Sequence, residues 1–155
     1  MGAISVAEVL RRLESFDIVE ETRSIVEAHT EALADMNREQ LMEGLDSTGK
    51  KMDRYKNDAY ARKKYQMNPR PGYGIRDQKK TGMFHEGIHA YTTGTAYVLT
   101  SSDPKTKDIT RRDGEKVFGL TGENKTIFRK NTLRPGLLRA IIRKVRGKTA
   151  APAYA

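Results

Sequence analysis

Apolar positions recur at helical spacing through the first third of the chain, then at a spacing of two, then at helical spacing again. Ser5-Val6-Ala7-Glu8 reads as a capping box, with Ser5 capping a free amide and Glu8 reaching back. Val6, Val9, Leu10 and Leu13 then form one stripe of a short helix. Asp17 restarts the pattern with Glu20 three residues on. Ile18, Thr22, Ile25, Val26, His29, Leu33, Met36, Gln40 and Leu41 follow at helical spacing. The spacing predicts one long amphipathic helix from Asp17 to Glu43, with Gly44 as its natural stop.

Residues 44–80 lose this regularity. Gly44, Gly49, Pro69, Pro71, Gly72 and Gly74 break any long element, and only a turn or two of helix fits between Asp58 and Lys64. The segment reads as a long, extended, exposed loop, a type of connection that tends to carry function. From Met83 the period becomes two, with Phe84, Glu86, Ile88 and Ala90 alternating against Met83, His85, Gly87 and His89. Thr93-Gly94 is a turn candidate, Ala96 to Thr100 is rich in strand formers, and Asp113-Gly114 is a hairpin signal between Ile109 and Val117. Three or four antiparallel strands are expected between residues 83 and 121.

Pro135 opens the last helix near its first turn, Leu137, Leu138, Ile141, Ile142 and Val145 form its stripe, and Gly147 ends it. The expectation is an α+β fold. A long N-terminal amphipathic helix and a C-terminal helix pack on a three- to four-stranded antiparallel sheet, and a long extended loop spans 44–80. Residues 1–147 form a single domain, 148–155 a flexible tail, and no internal repeat is visible.

Charge changes this picture more than length does. The chain of 155 residues carries a net +9, yet residues 1–49 hold four basic and eleven acidic residues, a net of −7, so the remainder carries +16. Opposed charges on one molecule can pair between copies, and head-to-tail contacts close into rings where the rotation permits. Two solvated faces without a partner account for the same numbers. There is no cysteine, hence no disulfide framework or thiolate metal site. No apolar run approaches the roughly 20 residues that cross a bilayer, and MGAISVAEVLRR lacks the basic start of a signal peptide. A protein with no membrane partner is expected.

His85-Glu86-Gly87-Ile88-His89 matches H-E-x-x-H, in which a helix sets two zinc-binding histidines on one face and the Glu polarises a bound water. That alternative makes the chain a small zinc metallopeptidase, with His85 and His89 as ligands and Glu86 as base. It requires a helix, and Gly82, Gly87, Thr92, Thr93 and Gly94 oppose a long one. On a strand the two histidines would stand about 13 Å apart at roughly 3.3 Å per residue, too far for one zinc with bonds of about 2 Å. The preferred reading is a turn at Thr81-Gly82 that launches a strand, with no metal and with His85 and His89 as polar positions on a half-exposed strand.

Basic and aromatic residues interleave just upstream. Lys50, Lys51, Arg54, Arg62, Lys63 and Lys64 alternate with Tyr55 and Tyr60, and these are candidate interface or DNA-facing residues. Lysine and arginine can neutralise phosphates, and tyrosine can stack on unpaired bases. No groove-reading helix or recognised nucleic-acid module is apparent, so a nonspecific DNA-binding module is a further alternative.

The order of these features resembles the virion morphogenesis family of tailed phages, which comprises tail-completion and head–tail joining neck proteins. An acidic amphipathic helix ends at Leu41-Met42-Glu43-Gly44, and Asp46-Ser47-Thr48-Gly49 follows. Next come Tyr55, Tyr60 and Lys63 or Lys64, then Thr81, Gly82, Phe84 and Ile88, then a strand region and the Leu133-Arg134-Pro135 helix. The resemblance spans roughly residues 17 to 146. Gln78 departs from it, standing where leucine often precedes the Thr-Gly pair, and the histidine pair is not part of it. The resemblance implies a structural virion protein, without catalysis or cofactor, that joins head to tail. It implies a homo-oligomeric ring of six or twelve copies around the DNA channel, with portal (connector) and tail proteins as partners and nonspecific contact with packaged DNA. Its place would be the virion neck or tail top, with assembly in the host cytoplasm.

Overall fold

A computed structural model describes residues 4–147; the expected tail, 148–155, lies outside the described residues. The chain is α+β and forms two compact units, one from residues 4–29 with 127–147 and one from Thr30–Thr126. Among the described residues no helix is long and apolar enough to cross a membrane.

The first unit is helical. Ser5 accepts from Glu8 N at 3.2 Å and starts α1 (Val6–Glu14). The Glu8 carboxylate does not complete the box, because it is held by Arg11 and Arg12 at 2.7–2.9 Å. Asp17 caps α2 (Ile18–Ala28) by accepting from Val19 N and Glu20 N. Buried Ile25 of α2 and buried Gly136 and Ala140 of α8 (Arg134–Arg146) mark where these two helices pack. Arg12 donates to the Val145 carbonyl at 2.6 Å and ties α1 to α8. A wide π-type turn, Arg129–Leu133, precedes α8, so Pro135 enters a chain that is already helical.

The helix expected from Asp17 to Glu43 is two helices. At His29 the backbone leaves helical geometry (φ −124°, ψ 24°), its N–H turns back to Val26 O, and the ring nitrogen Nδ1 meets Ile25 O at 2.8 Å. The apolar stripe runs through the break, so periodicity alone does not register it. α3 (Thr30–Met42) opens the second unit and ends where expected. Gly44 N bonds Leu41 O and Leu45 N bonds Gln40 O, the paired contacts of a Schellman stop. Gly44 has φ +67°, and a Cβ there would stand 2.7 Å from Pro71 Cβ.

The second unit is built around α3. Leu33, Ala34 and Leu41 are buried with Met52, Ala61, Phe84, Ile88, Leu99, Val117 and Leu120. Two buried amides on α3 fix the downstream chain: Asn37 donates to Val117 O and Gly119 O, and Gln40 donates to Gly119 O while accepting from Thr121 N. Between them, Arg38 reaches the carbonyls of His85 and Ile88.

The sheet has two strands among the described residues, not three or four. β1 (Ile88–Thr93) pairs antiparallel with β2 (Ala96–Ser101), in register from Ile88 opposite Ser101 to Thr93 opposite Ala96. A sheet this small depends on a covering helix, and α3 packs on β1. The downstream segment expected to add strands is helical instead. Asp103 accepts from Lys105 N, Thr106 reaches back to Ser101 O, and α6 (Thr106–Asp113) follows. Asp113-Gly114 closes that helix rather than a hairpin, with Gly114 N bonded to Thr110 O. A short 3-10 turn, Glu115–Val117, and α7 (Gly122–Phe128) complete the chain. Residues 44–80 are not one extended loop: they contain α4 (Asp58–Met67) and antiparallel bridges pairing Leu45 with Lys51 and Arg54 with Ile75.

Candidate functional site

The polar residues between α4 and α6 converge on two buried carboxylates. Residues Arg76, Asp77 and Gln78 are consecutive and send their side chains to alternate partners. Asp77 is paired with Lys64 of α4 at 2.8 Å, and its carboxylate also accepts from Tyr55 OH, Asn68 Nδ2 and Lys79 N at 3.0–3.1 Å. Burial disfavours its charged form, but the bonds from Lys64, Asn68 and the Lys79 amide outweigh this and hold it below the usual carboxylate range. On either side, Arg76 and Gln78 both bind Asp113 at the end of α6, and Arg112 bridges Asp113 and the side-chain Oε1 of Gln78. Thus α4 and α6 are joined through one three-residue segment.

This arrangement corrects the reading of Lys64 as an interface or DNA-facing residue. Its side chain is 7% exposed and its ammonium belongs to Asp77, because removing a charge from water requires a close counter-charge. The other candidates divide. Lys51 donates to Glu43 O, Arg54 to Tyr73 O, and Arg62 pairs with Asp58 at 3.4 Å. Lys50 and Lys63 are exposed. Tyr55 and Tyr60 pack edge to face with ring centres 5.0 Å apart. Burial first, and the neighbouring Asp77 charge second, push the Tyr55 phenol up, so it stays a hydrogen-bond donor.

The Thr81–His89 window combines a turn, a helical turn and a strand. Thr81 is exposed and Gly82 is buried with φ +99°, a left-handed conformation that glycine adopts without a Cβ penalty. It opens α5 (Met83–Glu86), so the strand begins at Ile88 and not at Met83. Phe84 and Ile88 are buried, and the Phe84 ring stands 5.8 Å from that of Phe118. Gly87 sits where a Cβ would come within 2.7 Å of Ser101 Oγ, so the tight approach of β2 explains this glycine.

The two histidines lie on different elements. His85, on α5, is buried and its Nε2 meets the Asp77 carbonyl at 2.8 Å; a carbonyl only accepts, so this nitrogen carries the proton. Burial lowers its pKa. His89 is exposed on β1, with Nδ1 2.9 Å from Gly87 O, and Glu86 is exposed on α5. Among the described residues no three histidine, aspartate or glutamate side chains gather as metal ligands.

Sequence reasoning missed Asp77 altogether and missed the buried roles of Asp46 and Asp113. Asp46 Oδ1 accepts from Thr48 N, Thr48 Oγ1 and Lys50 N, which folds the Asp46-Ser47-Thr48-Gly49 turn. Lys116 Nζ stands 3.2 Å from Oδ2, near enough for an ion pair but not aligned for a hydrogen bond. The Asp-Ser-Thr-Gly run is a local signal for this turn. Nothing local marks Asp77 or Asp113, whose partners lie 13 and 37 residues away.

No family model, curated protein or solved structure matches this chain.

Proposed function

We propose that the protein is a structural component of a tailed-phage virion, a ring-forming neck or tail-completion protein that joins head to tail. The order of elements carries this reading. Acidic helices end at the Gly44 stop, and the Asp46 turn and the basic, tyrosine-bearing α4 segment follow. The left-handed turn at Gly82, a hairpin and a closing helix begun near Pro135 complete the series. Its copies, the portal and the tail proteins are the proposed partners, and nonspecific contact with packaged DNA is consistent with the +16 carried after residue 49.

The burial pattern adds a reason to associate. Helices of the first unit leave Val6, Leu10, Ile18, Val19, Leu138 and Ile142 from 48 to 76% exposed. Uncovered apolar side chains concentrated on a few helices favour protein contacts. The experiment is mass measurement of the purified chain in solution, with electron microscopy of the particles formed alone and with portal and tail components. Rings, or entry into tails, are expected. A chain that remains monomeric and enters no particle, or that holds one zinc lost in His85→Ala, overturns the reading.

A further inference from the structure

A cleft of about 320 Å³ lies in the second unit, lined by the apolar and aromatic Tyr55, Tyr60 and Ile109 together with Lys79, Lys80, Lys105, Gln78 and Arg112. No carboxylate lines it. Arg112 is already bound to Asp113, whereas Lys79, Lys80 and Lys105 make no ion pair among the described residues. Three lysines without an ion-pair partner among the described residues therefore line one cleft, and repulsion between such cations falls when an anion enters.

The walls add shape to this charge. Tyr55 cannot swing freely, because its hydroxyl is tied to Asp77 and its ring meets Tyr60 at an interplanar angle of 85°. Gln78 has φ +57°, the one non-glycine residue with positive φ among those described. Its amide is clamped by Asp113 and Arg112. Strained backbone held by its surroundings concentrates at ligand sites. The volume falls within the roughly 300–1,000 Å³ of small-molecule sites.

A braced aromatic pair lining the same cleft as three unpaired lysines fits an anion that carries a flat, weakly polar body. An acidic peptide satisfies the lysines but leaves the tyrosines without a planar partner. We infer that this cleft binds a nucleotide unit, its phosphate held by Lys79, Lys80 and Lys105 and its base laid against Tyr55 and Tyr60. The unit comes from a single strand or from a free nucleotide. This inference stands whether or not the chain forms a ring.

The test uses the full chain and a fluorescent oligothymidylate, with anisotropy read across a salt series. Binding is expected, and K80A/K105A should weaken it about tenfold or more and flatten the salt dependence by one to two contacts of roughly 0.7 each. Tyr60→Leu, checked for native circular dichroism, should weaken binding roughly 5- to 100-fold while leaving the salt slope unchanged. Lys130→Ala, an exposed cation outside the cleft, should alter affinity less than about twofold. Competition by thymidine monophosphate assigns the site to free nucleotides; competition by unlabelled oligomer alone assigns it to a strand. The inference is overturned by unchanged affinity in K80A/K105A, by unchanged affinity in Tyr60→Leu, or by polyglutamate competing as well as the oligomer.

Discussion

Lys64 shows how a single residue changes meaning between sequence and structure. Among Lys63, Arg62 and three tyrosines it belongs to a basic surface. In the fold it turns inward and neutralises Asp77, while Lys63 and Arg62 remain outside. The distinction depends on a carboxylate 13 residues away, so composition could not supply it. The same hub fixes His85, whose Nε2–H bonds the Asp77 carbonyl, and this has a measurable pH signature. Burial lowers the His85 pKa in the folded chain from its ordinary value of 6.5. The unfolded chain therefore takes up a proton first as pH falls. The His85 contribution is complete above about 6.5 and is lost progressively below it, down through the folded value. Melting temperature should fall between pH 7.5 and pH 5.5, and His85→Gln, which keeps a donor for Asp77 O but does not titrate, should reduce that fall. Asp77 and Asp46, whose pKa values are lowered, lose their contribution below 3.8 and so act in a separate acidic window. Identical pH slopes for the two proteins above pH 5 would remove His85 as the cause.

At the scale of elements, what was legible is what is local. Ser5, Asp17, Gly44 and Gly147 were readable because caps and stops act within a turn of their own position. The break at His29 was hidden because its ring nitrogen competes at the Ile25 carbonyl without disturbing the apolar stripe. The segment Thr106–Asp113 was misread because Asp113-Gly114 suits a helix end as well as a hairpin, and Arg76 and Gln78, far upstream, draw Asp113 inward. Packing between α2 and α8 gives an element-scale prediction. Gly136 is buried in α8, and a Cβ there would stand 2.9 Å from Ile25 Cδ1. Gly136→Ala should change stability little, since the helical gain of about 1 kcal/mol over glycine is offset by a contact that the flexible end of Ile25 must yield. Gly136→Leu should cost about 1–3 kcal/mol by overpacking. Urea unfolding followed by circular dichroism measures both. A leucine variant as stable as the parent would mean that the two helices do not meet closely.

At the scale of the whole molecule, the segregated charge suggested copies joined by acidic helices against basic loops, and the ion pairs show part of that charge already engaged within the chain. Glu8 is held by Arg11 and Arg12, Glu20 and Glu27 by Arg23, and Glu31 and Asp35 by Arg38. Arg70, from the basic region itself, reaches Glu39 and Glu43 in its own chain. These carboxylates are held within their own chain, although four of the five arginines are already counted in the −7, and exposed pairs of this kind contribute little. In the ring we propose, association of copies would then draw on the uncovered apolar residues of α1, α2 and α8. The two driving forces respond oppositely to salt, because the screening length falls from about 10 Å at 0.1 M to about 3 Å at 1 M while apolar contact is unharmed. Under that proposal, sedimentation should show an oligomer of the purified chain that is retained between 0.1 and roughly 1 M sodium chloride. Replacing Leu10 and Ile142 together by lysine should dissociate it, as two of the apolar side chains left uncovered on α1 and α8 become charged. Glu14→Lys, an exposed change on α1, should leave it intact. Dissociation at high salt, with the lysine pair still assembled, would instead assign the contact to charge.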